Sequence, residues 1–286
     1  MEKPADLRPS PIAGQWYPAD PRRLAASVDA YLDAAVLPTI RGEVVGVMAP
    51  HAGHRYSGPV AGYAFAALRG SSAELVAVVS PMHHPYRQPL LTSAHDAYET
   101  PLGAVPIDRE VLASVDERLR SALGFGLTAI SHDPEHSLEI ELPFLQRALP
   151  GGFRLAPIMV RDQSLETIQT LGQTLGEALH GRQALLVAST DLSHFYPQEV
   201  AETLDAAVLR RVEAFDPGGV LQVELEGQGF ACGRGALAAV LWAARQLGAD
   251  SARLLHYATS AAVTGDFSSV VGYAAALITR EKAAAS

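Results

Sequence analysis

The feature that most constrains this chain is a recurrence of short apolar runs rich in β-branched residues, each separated from the next by a longer stretch of helical periodicity. "EVVGVMA" (43–49), "ELVAVVS" (74–80), "FRLAPIMV" (153–160) and "ALLVAST" (184–190) read as strands buried on both faces. Helical patterns cover 57–69, 108–121, 137–148, 164–179, 198–214 and 233–247, and two further strand-like runs, "ARLLHYAT" (252–259) and "SSVVGYAAALI" (268–278), come last. Parallel strands need crossovers, and helices supply them. The alternation therefore predicts an α/β fold with a mostly parallel central sheet flanked by helices. No repeat, low-complexity tract or long linker divides the 286 residues, so a single domain is expected over 1–286, with an N-terminal arm to about residue 20 and a frayed Ala-rich tail from about residue 280.

The charge balance narrows the partners. With 22 Lys+Arg against 31 Asp+Glu the net charge is -9, and no basic run occurs, which argues against nucleic acid and anionic membranes. Every apolar run is shorter than a bilayer span, and "MEKPADLRPS" lacks the basic flank and apolar core of a signal peptide. The single cysteine, Cys232, cannot form an internal disulfide; a cytoplasmic location is the expectation.

Chemistry-capable residues gather where such sheets keep their sites. His51 follows the first strand in "VVGVMAPHAGHRYSG", His83 and His84 follow the second in "VVSPMHHPY", and Asp191 and His194 follow another in "ASTDLSHFY". The C-terminal edge of an open α/β sheet is where loops converge on a crevice, so this placement points to a metal or acid/base role. Asp191 and His194 read either as a base with its orienting carboxylate, as further ligands, or as an N-cap with a helix-face histidine. Cys232, in "GQGFACGRGAL", reads equally as a buried core residue or as a thiolate favoured by a helix N-terminus and Arg234. In "SHDPEHSLEIELPF", His136 and Glu139 share a helix face, so one could orient the other behind the site. Trp16 and Tyr17 in "AGQWYPADP" dock the arm or wall a pocket. No GxGxxG, Walker or GxSxG motif supports nucleotide binding or α/β-hydrolase chemistry.

"AGQWYP", "APHAGHRYSG", "SPMHH", "DPEHSLEIELPF", "STDLSHF" and "ACGRG" occur in the order and spacing of the Memo (mediator of cell motility) family, the AmmeMemoRadiSam system protein B of prokaryotes, which this chain resembles from about Pro9 to about Ile278. The resemblance implies a fold like that of class III, LigB-type extradiol dioxygenases and a metal held by His51, His83 and Cys232, with Asp191 and His194 beside it as catalytic residues. It implies one metal ion, with Fe(II) expected and Cu or Zn as competitors, since thiolate in place of carboxylate softens the site. Tyr56, His54, His84, His136, Glu139, Trp16 and Tyr17 then line the pocket or stand behind the ligands. The sequence departs from the family at His54, where a tyrosine is usual, at Ser80 in place of glycine, and at Met82 in place of a small polar residue. The implied function is a non-heme iron, dioxygenase-like oxidoreductase acting on a small phenolic or otherwise oxidisable molecule. The alternative is a non-catalytic scaffold that holds metal or peptide in a degenerate pocket. A zinc hydrolase with His194 as base is a third reading. A pathway link to a radical-SAM enzyme and an AMMECR-type protein is implied by the resemblance alone.

Overall fold

The computed structural model describes residues 6–280; the expected frayed tail from residue 281 onward lies outside them. The chain opens with β1 (Leu7–Arg8) and α1 (Pro21–Ala34). Asp20 caps α1 by accepting from the Arg23 amide, and Pro21 starts it where a missing N–H costs nothing. β2 (Glu43–Ala49), α2 (His54–Ala66) and β3 (Leu75–Pro81) form the first crossover unit. Short strands follow: β4 (Leu90–Ser93), β5 (Ala97–Thr100) and β6 (Gly103–Pro106), then α3 (Arg109–Leu123) and β7 (Thr128–Ile130). A 3-10 turn at Glu139–Glu141 leads into α4 (Leu142–Ala148), β8 (Arg154–Val160), α5 (Leu165–Leu179) and β9 (Ala184–Ser189). The remainder holds β10 (His194–Tyr196), α6 (Gln198–Glu213), α7 (Pro217–Leu225) and α8 (Arg234–Gln246). β11 (Ser251–Thr259), α9 (Ala261–Thr264) and β12 (Val270–Arg280) complete it.

Among the described residues, nine strands form one sheet in the order β10-β12-β2-β9-β3-β8-β4-β7, with β11 also paired to β12. The single α/β domain flanked by helices is as expected, but the sheet is mixed rather than mostly parallel. β2, β9, β3 and β8 run parallel in its centre, whereas β12 is antiparallel to β2, β10 and β11, and β4 is antiparallel to β8. The physical reason is connection length: α9 and its flanking turns are too short to carry β11 across the sheet, so β12 returns beside it. A second, three-stranded sheet of β1, β5 and β6 adjoins the first at β8, where Ile107 bridges to Leu155.

Two helix groups cover the sheet. α1, α2 and α4 pack together, as do α3, α5, α7 and α8, and the strands between them are buried along nearly their whole length. The helix expected over 137–148 begins only at Leu142, where Pro143 occupies the first turn. Residues 131–138 stay irregular because the Glu135 carboxylate captures the amides of His136 and Ser137. His194, read alternatively as a helix-face residue, opens a three-residue strand instead.

α8 is buried over Gly235–Ala244 and approaches α5 backbone to backbone. A Cβ on Gly172 would stand 2.5 Å from Trp242 Cβ and 2.6 Å from the Ala239 carbonyl oxygen. Alanine gains about 0.8–1.0 kcal/mol of helix propensity over glycine, but overpacking costs about 1–3 kcal/mol. Gly172→Ala is therefore expected to lose about 1–2 kcal/mol of stability in urea unfolding, and an unchanged or raised midpoint would contradict this packing.

Candidate metal centre

The parallel strands deliver the site. His51 lies two residues beyond β2, His83 two beyond β3, and Asp191 two beyond β9. One backbone and one side-chain bond tie the strand ends together toward the crevice: the Thr190 amide donates to the Ala49 carbonyl at 2.9 Å, and the His51 amide donates to Asp191 Oδ1 at 2.7 Å. Cys232 arrives just before α8, its amide 3.2 Å from the Asp191 carbonyl. Gly233 permits that approach, since a Cβ there would sit 2.4 Å from the Ser189 carbonyl oxygen.

Among the described residues, His51, His83 and His136 form a group whose ligating atoms all lie within 4.8 Å of one another. Cys232 Sγ stands 3.1 Å from His51 Nε2, in the same crevice. Two of the imidazoles are oriented by their other nitrogen. His83 Nδ1 is 2.9 Å from Glu135 Oε1, while Glu135 Oε2 accepts from the His83 amide at 2.6 Å. His51 Nδ1 is 2.9 Å from Ser189 Oγ. The Ser189 hydroxyl also lies 2.6 Å from the Ser137 carbonyl oxygen and 2.9 Å from Glu141 Oε1. It has one proton, and the Ser137 carbonyl can only accept, so that proton belongs there. Ser189 then accepts from His51 Nδ1–H and from a protonated Glu141. The outcome is a His51 tautomer with a free lone pair on Nε2, and His83 is likewise left with Nε2 available.

The electrostatics agree. Burial holds His51 well below its ordinary value, and the neighbouring His136 and His83 add to the effect. Burial lowers His136 to about 4 against the pull of Glu135. Neutral imidazoles are the form that binds metal. Burial pushes Glu141 well above the carboxylate range, consistent with a proton on it, and its Oε2 has no hydrogen-bond partner among the described residues. Glu135 is the opposite case: burial raises it, but His83, His136 and the Ser137 amide together outweigh that and hold it well below the usual range. The expectation of a low-pKa thiol does not hold in the metal-free protein. Burial and the nearby Asp191 charge push Cys232 up, and these outweigh the hydrogen bonds from the Asp191 and Gly233 amides and the Thr190 hydroxyl. The residues thus suit a cation: two imidazoles pre-oriented through Nδ1, a third beside them, and a soft donor that would be ionised by the ion itself.

Comparison with known proteins agrees with the motifs. A family model described as Memo-like protein matches residues 8–277. The chain belongs to the Memo family. It is 34% identical over 273 residues to a MEMO1 family protein of Nitrosopumilus maritimus, covering 94% of this chain and 98% of that one. Relatives from Methanopyrus kandleri and Methanothermobacter thermautotrophicus are 36% and 38% identical, each over 94% of this chain and 98% and 99% of their own.

The other sequence-derived candidates in this Memo-family chain divide between crevice and core. His194 lies close enough to His51 and His83 for their charges to be felt, burial lowers its pKa, and its buried Nδ1 has no hydrogen-bond partner among the described residues. No hydrogen bond joins it to Asp191, which instead accepts from the His51 and Ala52 amides. Burial raises Asp191 to about 7 against those two bonds. Trp16 packs on His136 at 4.2 Å between ring centroids, and the partly exposed Tyr56 and half-buried His84 stand at the periphery. Tyr17 is no pocket wall: it is 3% exposed and donates to Glu139 Oε1 at 2.6 Å. Glu139 accordingly binds Arg8, Ser10 and Tyr17 rather than orienting His136. His54 is a core residue, with Nε2 3.0 Å from the Ile140 carbonyl, flanked by Tyr17 and Phe144, and lowered to about 4 by burial. Ser80 and Met82 are buried at the end of β3. Sequence reasoning missed Ser189, Glu135 as the partner of His83, and Glu141. Ser189 had no signal beyond its place at a strand end, whereas Glu135 stood in a motif already singled out.

Glu141 supplies a test of the tautomer logic. An acid raised by folding keeps a proton that the unfolded chain has lost, so stability falls as pH rises above the ordinary carboxylate range. Removing this linkage in Glu141→Gln should make the variant progressively more stable relative to wild type as pH rises above about 5, by up to about 1.4 kcal/mol per pH unit. Parallel pH profiles in urea unfolding would show that Glu141 is ionised in the fold.

Proposed function

We propose that this Memo-family protein is a metal-dependent, dioxygenase-like oxidoreductase acting on a small phenolic or otherwise oxidisable molecule. The observation that carries the reading is the convergence of His51, His83 and His136 within 4.8 Å, with the Nδ1 atoms of the first two occupied by Ser189 and Glu135 and the Cys232 thiol 3.1 Å from His51. His51, His83 and Cys232 would hold the ion, with His136 beside them. A bound Fe(II) would supply redox chemistry and coordination positions open to substrate and dioxygen, with Cu and Zn as competing ions for an N/S donor set.

The chain's own residues would do the rest. His194, kept neutral by burial, would accept a proton from a substrate hydroxyl. Asp191 holds the turn that carries His51 by accepting its amide proton. Trp16, packed on His136, presents an aromatic face to a planar substrate. Phe195, 75% exposed beside His194, favours a second reading, a scaffold that holds a peptide in the same crevice without turnover.

Metal analysis of protein purified without oxygen, followed by oxygen consumption with Fe(II)-loaded protein and a panel of catechols, separates the two. Turnover supports the enzyme; stoichiometric metal or peptide binding without oxygen uptake supports the scaffold. His51→Ala should empty the site, and Cys232→Ser should weaken Fe(II), Cu(I) or Zn(II) binding sharply. His194→Ala should keep the metal and lower the rate by about 10² to 10⁴-fold. An emptied site in that variant would make His194 a ligand.

A further inference from the structure

Among the described residues, the ion pairs most deeply buried on both sides, Arg8 with Asp133 and with Glu139, lie behind the candidate metal centre. Arg8, in the two-residue strand β1, is 1% exposed. Its guanidinium makes a fork to Asp133, from Nε to Oδ2 at 3.0 Å and from Nη2 to Oδ1 at 2.8 Å. Nη1 donates to Glu139 Oε2 at 2.6 Å, and Nη2 also reaches the backbone carbonyls of Glu135 at 2.7 Å and Asp133 at 3.2 Å. Tyr98 lies under the guanidinium, 4.7 Å from its carbon to the ring centroid. Burial disfavours the charge, but Asp133, Glu139 and Tyr98 more than restore it.

The contacts have a pattern that packing alone does not require. Arg8 grips residues 133, 135 and 139, and between them stands His136, one of the three converging imidazoles. Glu135, whose carbonyl Arg8 holds, is the residue whose carboxylate orients His83. Asp133 Oδ1, which Arg8 also holds, accepts from the Glu135 amide at 3.1 Å. The segment has no regular secondary structure of its own over 131–138, and His132 within it has a φ of 54°. The loop's own bonds tie the Glu135, His136 and Ser137 amides to carboxylates within it, and Arg8 fixes those carboxyl-bearing residues from outside.

We propose that Arg8 is a positioning residue for the metal centre: the N-terminal segment is a latch that holds the Asp133–Glu139 loop, and with it Glu135 and His136, in the arrangement that receives the ion. The inference rests on the metal-site reading above. Because linkage is reciprocal, the ion must tighten the latch as the latch favours the ion. The latch is also long-range, since residues 125 to 131 positions apart in sequence meet at one guanidinium.

Two measurements on the full chain test it, with Zn(II) as the probe. The first is competition titration of wild type, Arg8→Lys and Arg8→Met. Loss of a group that orients ligands typically weakens metal binding about 10 to 100-fold, so Arg8→Met should fall in that range. Arg8→Lys, which keeps the charge but not the fork, should lie between it and wild type. Equal affinity in wild type and a folded Arg8→Met overturns the latch. The second is hydrogen exchange on the wild-type protein, which needs no variant and so covers the case in which Arg8→Met fails to fold. Zn(II) should slow exchange in residues 6–17 as well as in 131–139, and protection confined to 131–139 overturns the proposal. Wild-type protein that binds no Zn(II), Fe(II) or Cu(I) would instead overturn the metal-site reading and the latch with it, a result distinct from bound metal without latch protection.

Discussion

The site depends on the parallel register of β2 against β9. Ala49 stands opposite Ser189, so both strands reach the sheet edge at the same level, and the residues just beyond them meet. The His51 amide can then donate to Asp191, and the His51 ring can reach Ser189, the last residue of β9. A register slip of one residue would turn these side chains to the opposite face. The all-buried strands at the centre of the sheet make such a slip costly. The precision of the candidate centre therefore comes from sheet packing, and the loops inherit it.

Burial then sets the chemistry. Around His51, desolvation favours every neutral form: neutral imidazole, protonated Glu141, protonated thiol. In that environment hydrogen-bond direction is determined by counting protons, and Ser189 accepts from His51 because its own proton is committed to the Ser137 carbonyl. A few ångströms away the balance reverses. Glu135 stays ionised because it collects the His83 ring and three backbone amides, those of His83, His136 and Ser137. His51 thus faces the site through a neutral chain and His83 through a charged one, which makes them donors of different strength at one centre.

Three residues that the sequence left open to the crevice serve the interior instead. Tyr17 and Glu139 belong to the buried network around Arg8, and His54 fills a slot between Tyr17 and Phe144 with its Nε2 committed to a backbone carbonyl. His54 is therefore part of the core and stands outside the group of His51, His83 and His136.

What the residues determined alone was substantial. Apolar runs with β-branched residues identified β2, β3, β8 and β9, because a strand covered on both faces has to be apolar throughout. The placement of His51, His83 and Asp191 after such runs located the crevice, because parallel strands present their C-terminal ends together. The directions of β12 and β4 were not legible, since an isolated apolar strand carries no mark of its partner's orientation. The length of connection and the edges left open decide it. The partners of Glu139, the protonation of Glu141 and the raised thiol of Cys232 were equally hidden. Each depends on which groups meet across more than a hundred residues or on how much water is excluded from them, and only the tertiary structure decides either.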